Sequence, residues 1–187
     1  MEIKEILKKY SKELTQIKNM IDKSQKIAII GHVNPDGDCV GSQLGLQYAL
    51  KIIGKDAVVI NEGEFKGVYR TNFKNYFLPD INEDYDLYII LDTANKERIG
   101  DLYKKIDIDK TIVIDHHITN NNFGSINWVS DHFISASEMV FLLILSMNID
   151  ISNGEGVQFL LNGLLSDNGF FQHIRTNKYL SLLISHK

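Results

Sequence analysis

Five short apolar runs divide this chain: KIAII (26–30), DAVVIN (56–61), DLYIILDT (86–93), KTIVIDHH (110–117) and GSINWVSD (124–131). Between them lie a glycine-bearing turn with the helical stretch CVGSQLGLQYALKIIG, a polar stretch without clear period (EGEFKGVYRTNFKNYFLPDINED) and the helix-like ANKERIGDLYKKI. Short continuous apolar runs suit strands buried on both faces, and strands alternating with helices imply parallel pairing. The pattern predicts an α/β fold: a mostly parallel, Rossmann-like sheet with helices on both faces.

Further helices bracket this unit. From Ile3 to Ile21, Ile3, Ile6, Leu7, Tyr10, Leu14, Ile17 and Ile21 recur at three- and four-residue steps between lysines and glutamates, the pattern of an amphipathic helix with a solvated basic face. In SASEMVFLLILSMN, Ser135 and Glu138 have capping-box spacing, so Glu138 reads as a cap before it reads as a catalyst. GEGVQFLLNGLL and the C-terminal NKYLSLLISHK are also helical in character.

At 187 residues, with a net charge of −4, the chain has the size of one domain and lacks the positive excess of a protein that coats long nucleic acid. Its single cysteine, Cys39, has no intramolecular partner, its N-terminus lacks the apolar core of a secretory signal, and MVFLLILSM falls short of a membrane span. A cytoplasmic, membrane-free protein is expected.

Three predicted strands end in acid or histidine. KIAII runs into Gly31-His32 and on to Asp36 and Asp38, LYIIL into Asp92, and TIVI into Asp115-His116-His117. In an open parallel sheet these carboxyl ends line the ligand crevice. Carboxylates gathered there repel unless they neutralise or meet cations. A set of histidine and aspartates without thiolate suits Mn²⁺, with Mg²⁺ or Co²⁺ as substitutes, while Cys39 reads as a packed helix residue. Any one of these residues alone is better explained as a turn, a cap or a core hydrogen-bonder. Their agreement on one edge carries the reading.

HVNPDGD, LDT, DHH and GLLSDNGFF, in that order, resemble the four motifs of the DHH phosphoesterase superfamily. NPDGDCVGS and SDNGFF are similar to its NrnA-like branch of oligoribonucleases and phosphoadenosine-phosphate phosphatases. The resemblance spans about Lys26 to Thr176. It implies two metal ions, one held by His32, Asp36 and Asp92, the other by Asp38, Asp92, His116 and Asp167, with Asp92 bridging. It further implies that Asp115 orients His116 and that His117 faces the phosphate as donor or acid. The expected activity is Mn²⁺-dependent hydrolysis of very short RNA (nanoRNA), linear dinucleotides or 3′,5′-bisphosphonucleotides such as pAp, by a water that paired ions about 3.5–4 Å apart activate. Gly37 is expected to supply a backbone angle that other residues resist.

Asn168 stands where the family more often has threonine, and Gln172 where a basic residue is frequent. The resemblance makes residues 1–187 one catalytic domain, with 1–24 an N-terminal helix and 25–187 the α/β core and final helices. The family's C-terminal substrate-binding domain has no counterpart here, so the expectation is part of a longer protein. A homodimer is left open. Two alternatives keep the chemistry: a cyclic-dinucleotide phosphodiesterase, whose relatives carry membrane and sensory segments, and a family II pyrophosphatase, which has NPDTD where this chain has NPDGD. A third, of another class, is a catalytically silent binding domain.

Overall fold

The computed structural model describes residues 3–167. Asn168, Gln172 and the helical stretch expected at the C-terminus lie outside them.

Six strands, β1 (Lys26–Ile30), β2 (Asp56–Ile60), β3 (Phe77–Leu78), β4 (Leu87–Leu91), β5 (Thr111–Asp115) and β6 (Ile126–Val129), form one sheet in the order β3-β2-β1-β4-β5-β6. Every pair is parallel. β1 feeds β2 on one side and neighbours β4 on the other, so the winding reverses between β1 and β4, where such sheets open a crevice at the carboxyl ends.

Alternate side chains of the four central strands enter two cores. Ile27, Ile29, Leu87, Ile89, Leu91, Ile112 and Ile114 face one, and Ala28, Ile30, Tyr88, Ile90 and Val113 the other. This accounts for the unbroken apolar runs. The larger core lies under α1 (Ile3–Lys9), α2 (Ser11–Lys23), α3 (Gly37–Ile52), α5 (Ala136–Ser146) and α6 (Gly156–Asp167). The opposite face is covered by 3₁₀ turns over Lys96–Lys104 that bury Ile99 and Leu102, where the sequence suggested a longer helix. Gly100, at φ 67°, breaks them.

Two further expectations are refined. The amphipathic N-terminal stretch divides at Tyr10, whose ring is held 5.7 Å from Trp128 and 5.3 Å from Phe133 and whose hydroxyl shares a 2.8 Å hydrogen bond with Ser130. The polar stretch after β2 holds α4 (Gly67–Asn72) and the two-residue β3, too short to show a period. α3 and α6 pack closely: a Cβ on Gly41 would stand 2.4 Å from the Phe159 carbonyl oxygen. That approach brings the end of α6, and with it Asp167, over the start of α3.

Candidate metal centre

His32 follows β1, Asp36 and Asp38 open α3, Asp92 follows β4, Asp115 ends β5 and is followed by His116 and His117, and Asp167 ends α6. All converge on the switch point.

Asp36 is the N-cap of α3. Its Oδ1 accepts from the Asp38 and Cys39 amides, each at 3.1 Å, which leaves Oδ2 facing His32 Nε2 at 3.7 Å. Asp38, fully buried, has its oxygens at the N-terminus of α5, accepting from the amides of Ala136 at 2.6 Å and Ser137 at 2.9 Å. A helix N-terminus is a favourable place for a buried carboxylate. Burial first, then the neighbouring Asp92 and Asp167, push the Asp38 carboxyl upward, against the pull of Ser137 and His116.

Asp92 lies between two groups of candidate ligands. Its Oδ2 faces His32 Nε2 at 3.5 Å, and its Oδ1 faces His116 Nε2 at 3.4 Å and His117 Nδ1 at 3.6 Å. His116 Nε2 also lies 3.3 Å from Asp167 and 3.9 Å from Asp38. Asp92 holds φ 55°, a left-handed conformation that costs an aspartate free energy and is often found at functional sites.

Burial disfavours charge on these groups, yet they hold each other charged. His32 is raised to about 12 against burial by Asp36 and Asp92, and His116 to about 11 against burial by Asp167 and Asp92. Asp92 is lowered, also against burial, by His116 and His32. The N···O separations of 3.3–3.9 Å are too long for good hydrogen bonds. Asp92 Oδ1 and His116 Nε2 are buried without a hydrogen-bond partner. Ligands each about 2.1 Å from a shared divalent ion stand roughly 3–3.5 Å apart. The donor set and its unpartnered atoms therefore fit cations held on either side of Asp92.

Three sequence expectations change. Asp115 is hydrogen-bonded to His117, Oδ1 to Nδ1 at 2.7 Å, and not to His116, whose Nε2 is directed instead at Asp92, Asp167 and Asp38. Gly37 has no left-handed φ; what it supplies is space, since a Cβ there would stand 2.4 Å from Ser166 Cβ and 2.6 Å from Tyr69 Oη. Glu138 does cap α5, but its Oε2 accepts from the Ile134 amide at 2.9 Å, while Ser135 Oγ accepts from the Glu138 amide at 3.1 Å; burial raises its carboxyl to about 7. Cys39 is buried, its thiol donates to Gln43 Oε1 at 3.4 Å, and burial raises it to about 11, although it borders His32 and Asp92.

Two asparagines escaped the sequence reading. Asn120 donates to Asp115 Oδ2 at 2.7 Å and to the Thr93 carbonyl at 2.9 Å, tying the loop after β5 to the loop after β4. Asn61, at the end of β2, donates to the His32 carbonyl at 3.0 Å. Their only sequence signal is an asparagine within a few residues of a strand end.

The model of the DHH family N-terminal domain matches residues 26–165. The bifunctional oligoribonuclease and PAP phosphatases NrnA of Bacillus subtilis and Thermus thermophilus are 30% identical over 181 residues and 31% over 160; the alignments cover 92% and 80% of this chain and 56% and 45% of theirs. The chain thus spans about half the length of these relatives. Among solved structures, an exopolyphosphatase-related protein from Bacteroides fragilis superposes with a TM-score of 0.81 at 26% identity, over 93% of this chain and 55% of that one. By this family match, which takes in β1 through most of α6, the chain belongs to the DHH family.

Proposed function

We propose that the chain is the catalytic domain of a divalent-metal phosphoesterase that hydrolyses very short oligoribonucleotides, linear dinucleotides or 3′,5′-bisphosphonucleotides. The observation that carries this reading is Asp92: one buried carboxylate whose two oxygens face two separate histidine–aspartate groups. His32 and Asp36 would hold one ion with it, and Asp38, His116 and Asp167 the other; the donor chemistry, histidine and aspartates without thiolate, favours Mn²⁺. Bound there, a pair of divalent ions would supply Lewis acidity toward a phosphoryl oxygen and activation of water.

The chain's own residues do the rest. Asp115 fixes the His117 ring through Nδ1, leaving Nε2 on a side chain 36% exposed to meet a phosphate oxygen or a leaving group. Asn120 holds Asp115 from its other oxygen. Position 37, threonine in the pyrophosphatase pattern, is closed here by Ser166 and Tyr69, which supports a nucleotide-directed reading over pyrophosphate.

The test is Mn²⁺-dependent hydrolysis of bis(p-nitrophenyl) phosphate and pAp, with a melting curve in parallel. Mn²⁺ is expected to raise the melting temperature of the wild type, since a ligand that binds only the native state stabilises it. Asp92→Ala is expected to stay folded and to lose both the shift and at least a hundredfold in rate, the scale of losing one strong electrostatic stabiliser. Hydrolysis by Asp92→Ala at the wild-type rate refutes the bridging role, and a melting temperature insensitive to Mn²⁺ and Mg²⁺ leaves the silent binding domain as the better reading.

A further inference from the structure

The segment from Lys66 to Tyr76 takes no part in the ligand cluster, yet it borders it. α4 brings the Tyr69 hydroxyl to 2.6 Å, and α6 brings Ser166 Cβ to 2.4 Å, from the point where a Cβ on Gly37 would stand. The segment is therefore a wall beside the loop that carries Asp36 and the helix end that carries Asp167.

Its inner side is aromatic. Tyr69 and Phe73 are half-buried with ring centroids 6.4 Å apart, and Phe73 meets Phe159 of α6 edge-on at 6.3 Å. Its outer side differs. Lys66, Arg70 and Lys74 follow at four-residue steps, all exposed, and none has an ion-pair partner among the described residues. Tyr76 is 46% exposed with one edge against Phe159. Lys74 also borders a cavity of about 330 Å³ at the carboxyl ends of β2 and β3, with Phe65 and Phe77 in its wall. Of the acids just before the segment, Glu62 is tied to the Asp101 amide.

Three cations without an ion-pair partner among the described residues, on a chain of net charge −4 and next to a cluster of carboxylates, complement a polyanion that extends past a single phosphate. An exposed aromatic ring among them is what a base stacks on, and cations with interleaved aromatics form a single-stranded nucleic-acid surface. We propose that Lys66, Arg70, Lys74 and Tyr76 bind the remainder of a short single-stranded oligonucleotide whose scissile phosphate lies at the Asp92 cluster. This rests on the phosphoesterase reading and narrows its substrate to chains with phosphates and bases beyond the cleaved bond.

The spacing recurs at Lys4, Lys8 and Lys12, exposed on α1 and α2, which pack toward β6 at the other edge of the sheet. That stripe is a charge-matched control. Fluorescence anisotropy of a labelled five-nucleotide RNA, titrated with the 187-residue chain in chelator so that no hydrolysis occurs, reads binding apart from activity. With single strands losing about 0.7 in log-log salt slope per phosphate contact, K66A/R70A/K74A is expected to flatten the slope by about 2, and Arg70→Ala alone by about 0.7. The triple variant is expected to bind at least tenfold more weakly at low salt, K4A/K8A/K12A within twofold of wild type, and Tyr76→Ala to weaken RNA but not inorganic polyphosphate of equal charge. Overturning results are no binding by the wild type up to roughly 100 μM, the weak end of non-specific affinity, equal losses in the two lysine-stripe variants, or polyphosphate binding as tightly as RNA with no effect of Tyr76→Ala. Bis(p-nitrophenyl) phosphate hydrolysis by the wild type with Mn²⁺ separates the two readings: its absence removes the phosphoesterase reading, whereas the anisotropy decides the surface.

Discussion

Gly37→Ala tests whether the metal loop is shaped by contact with α6. The new Cβ would meet Ser166 Cβ at 2.4 Å and Tyr69 Oη at 2.6 Å. Carbon atoms in contact stand about 3.5–4.0 Å apart, so more than 1 Å must be found. The Tyr69 hydroxyl is the far end of a side chain that can rotate, but Ser166 Cβ is fixed to the α6 backbone. Overpacking of this kind costs about 1–3 kcal/mol, and alanine's better helix propensity offsets less than 1 kcal/mol. For 187 residues that is a fall in Tm of roughly 2–10 °C. Because Ser166 adjoins Asp167, which lies 3.3 Å from His116, the same displacement weakens the second ligand group. Ser166→Gly removes the obstructing atom at a cost of about 0.5 kcal/mol in helix propensity. The double variant G37A/S166G is expected to recover about 1–2 kcal/mol relative to the sum of the singles, together with most of the Mn²⁺ response. Urea denaturation supplies the four free energies and Mn²⁺ titration the affinities. Additivity within about 0.3–0.5 kcal/mol would refute the contact as the reason for glycine.

Mn²⁺ affinity is expected to rise with pH. His32 and His116, held protonated at about 12 and about 11 by their carboxylates against burial, must each release a proton to coordinate, so below those values affinity grows by up to roughly tenfold per pH unit for each histidine bound. Calorimetric titration between pH 6 and 8 measures this, and a flat profile contradicts it. Asn120→Ala leaves Asp115 Oδ2 and the Thr93 carbonyl without their donor, which is expected to cost about 1–3 kcal/mol and to lower kcat more than it weakens Mn²⁺ binding; equal losses in both would assign Asn120 to the metal centre itself. Ser135→Ala removes the α5 N-cap and is expected to lower stability by about 0.5–2 kcal/mol, read as a Tm shift, while Mn²⁺ still binds.

The fold was legible wherever its cause was local. Four of the runs lie in the central strands, because burial on both faces leaves no polar interruptions to disguise them; the fifth, β6, is a half-buried edge strand marked by Ile126 and Trp128. β3 was not, since two residues carry no period and pair only because the chain passes beside β2. The site was legible through the convergence of strand ends, which follows from parallel topology alone. Direction was not. Which of two adjacent imidazoles Asp115 meets depends on how the chain leaves β5, and neither spacing nor residue type records that. The reason for Gly37 was equally hidden: its partner Ser166 is distant in sequence, and only the packing of α3 on α6 brings them together.

The acids proposed for the metal centre also hold the fold. Asp36 caps α3 through Oδ1 while offering Oδ2 to the site, and Asp38 is anchored by two amides at the start of α5. Asp92 is fixed by its strand end, where its amide donates to the Ile114 carbonyl at 3.1 Å. The carboxylates of Asp36 and Asp38 are thus positioned by backbone donors that exist without any ion. The neighbouring carboxylates meanwhile raise His32 and His116, so the cluster favours positive charge on both rings. The side chains proposed as ligands therefore stand on elements that are already formed, and a divalent ion bound there would replace protons in an existing geometry in place of gathering ligands from a disordered chain. Such an ion should therefore stabilise by mass action alone, about 2.7 kcal/mol at a hundredfold excess over its Kd, or roughly 5–10 °C in Tm for a chain of this length. A chain that is unfolded by chelator and folds only with metal would contradict that order of events, because the amides that position Asp36 and Asp38 belong to helices that must already be formed.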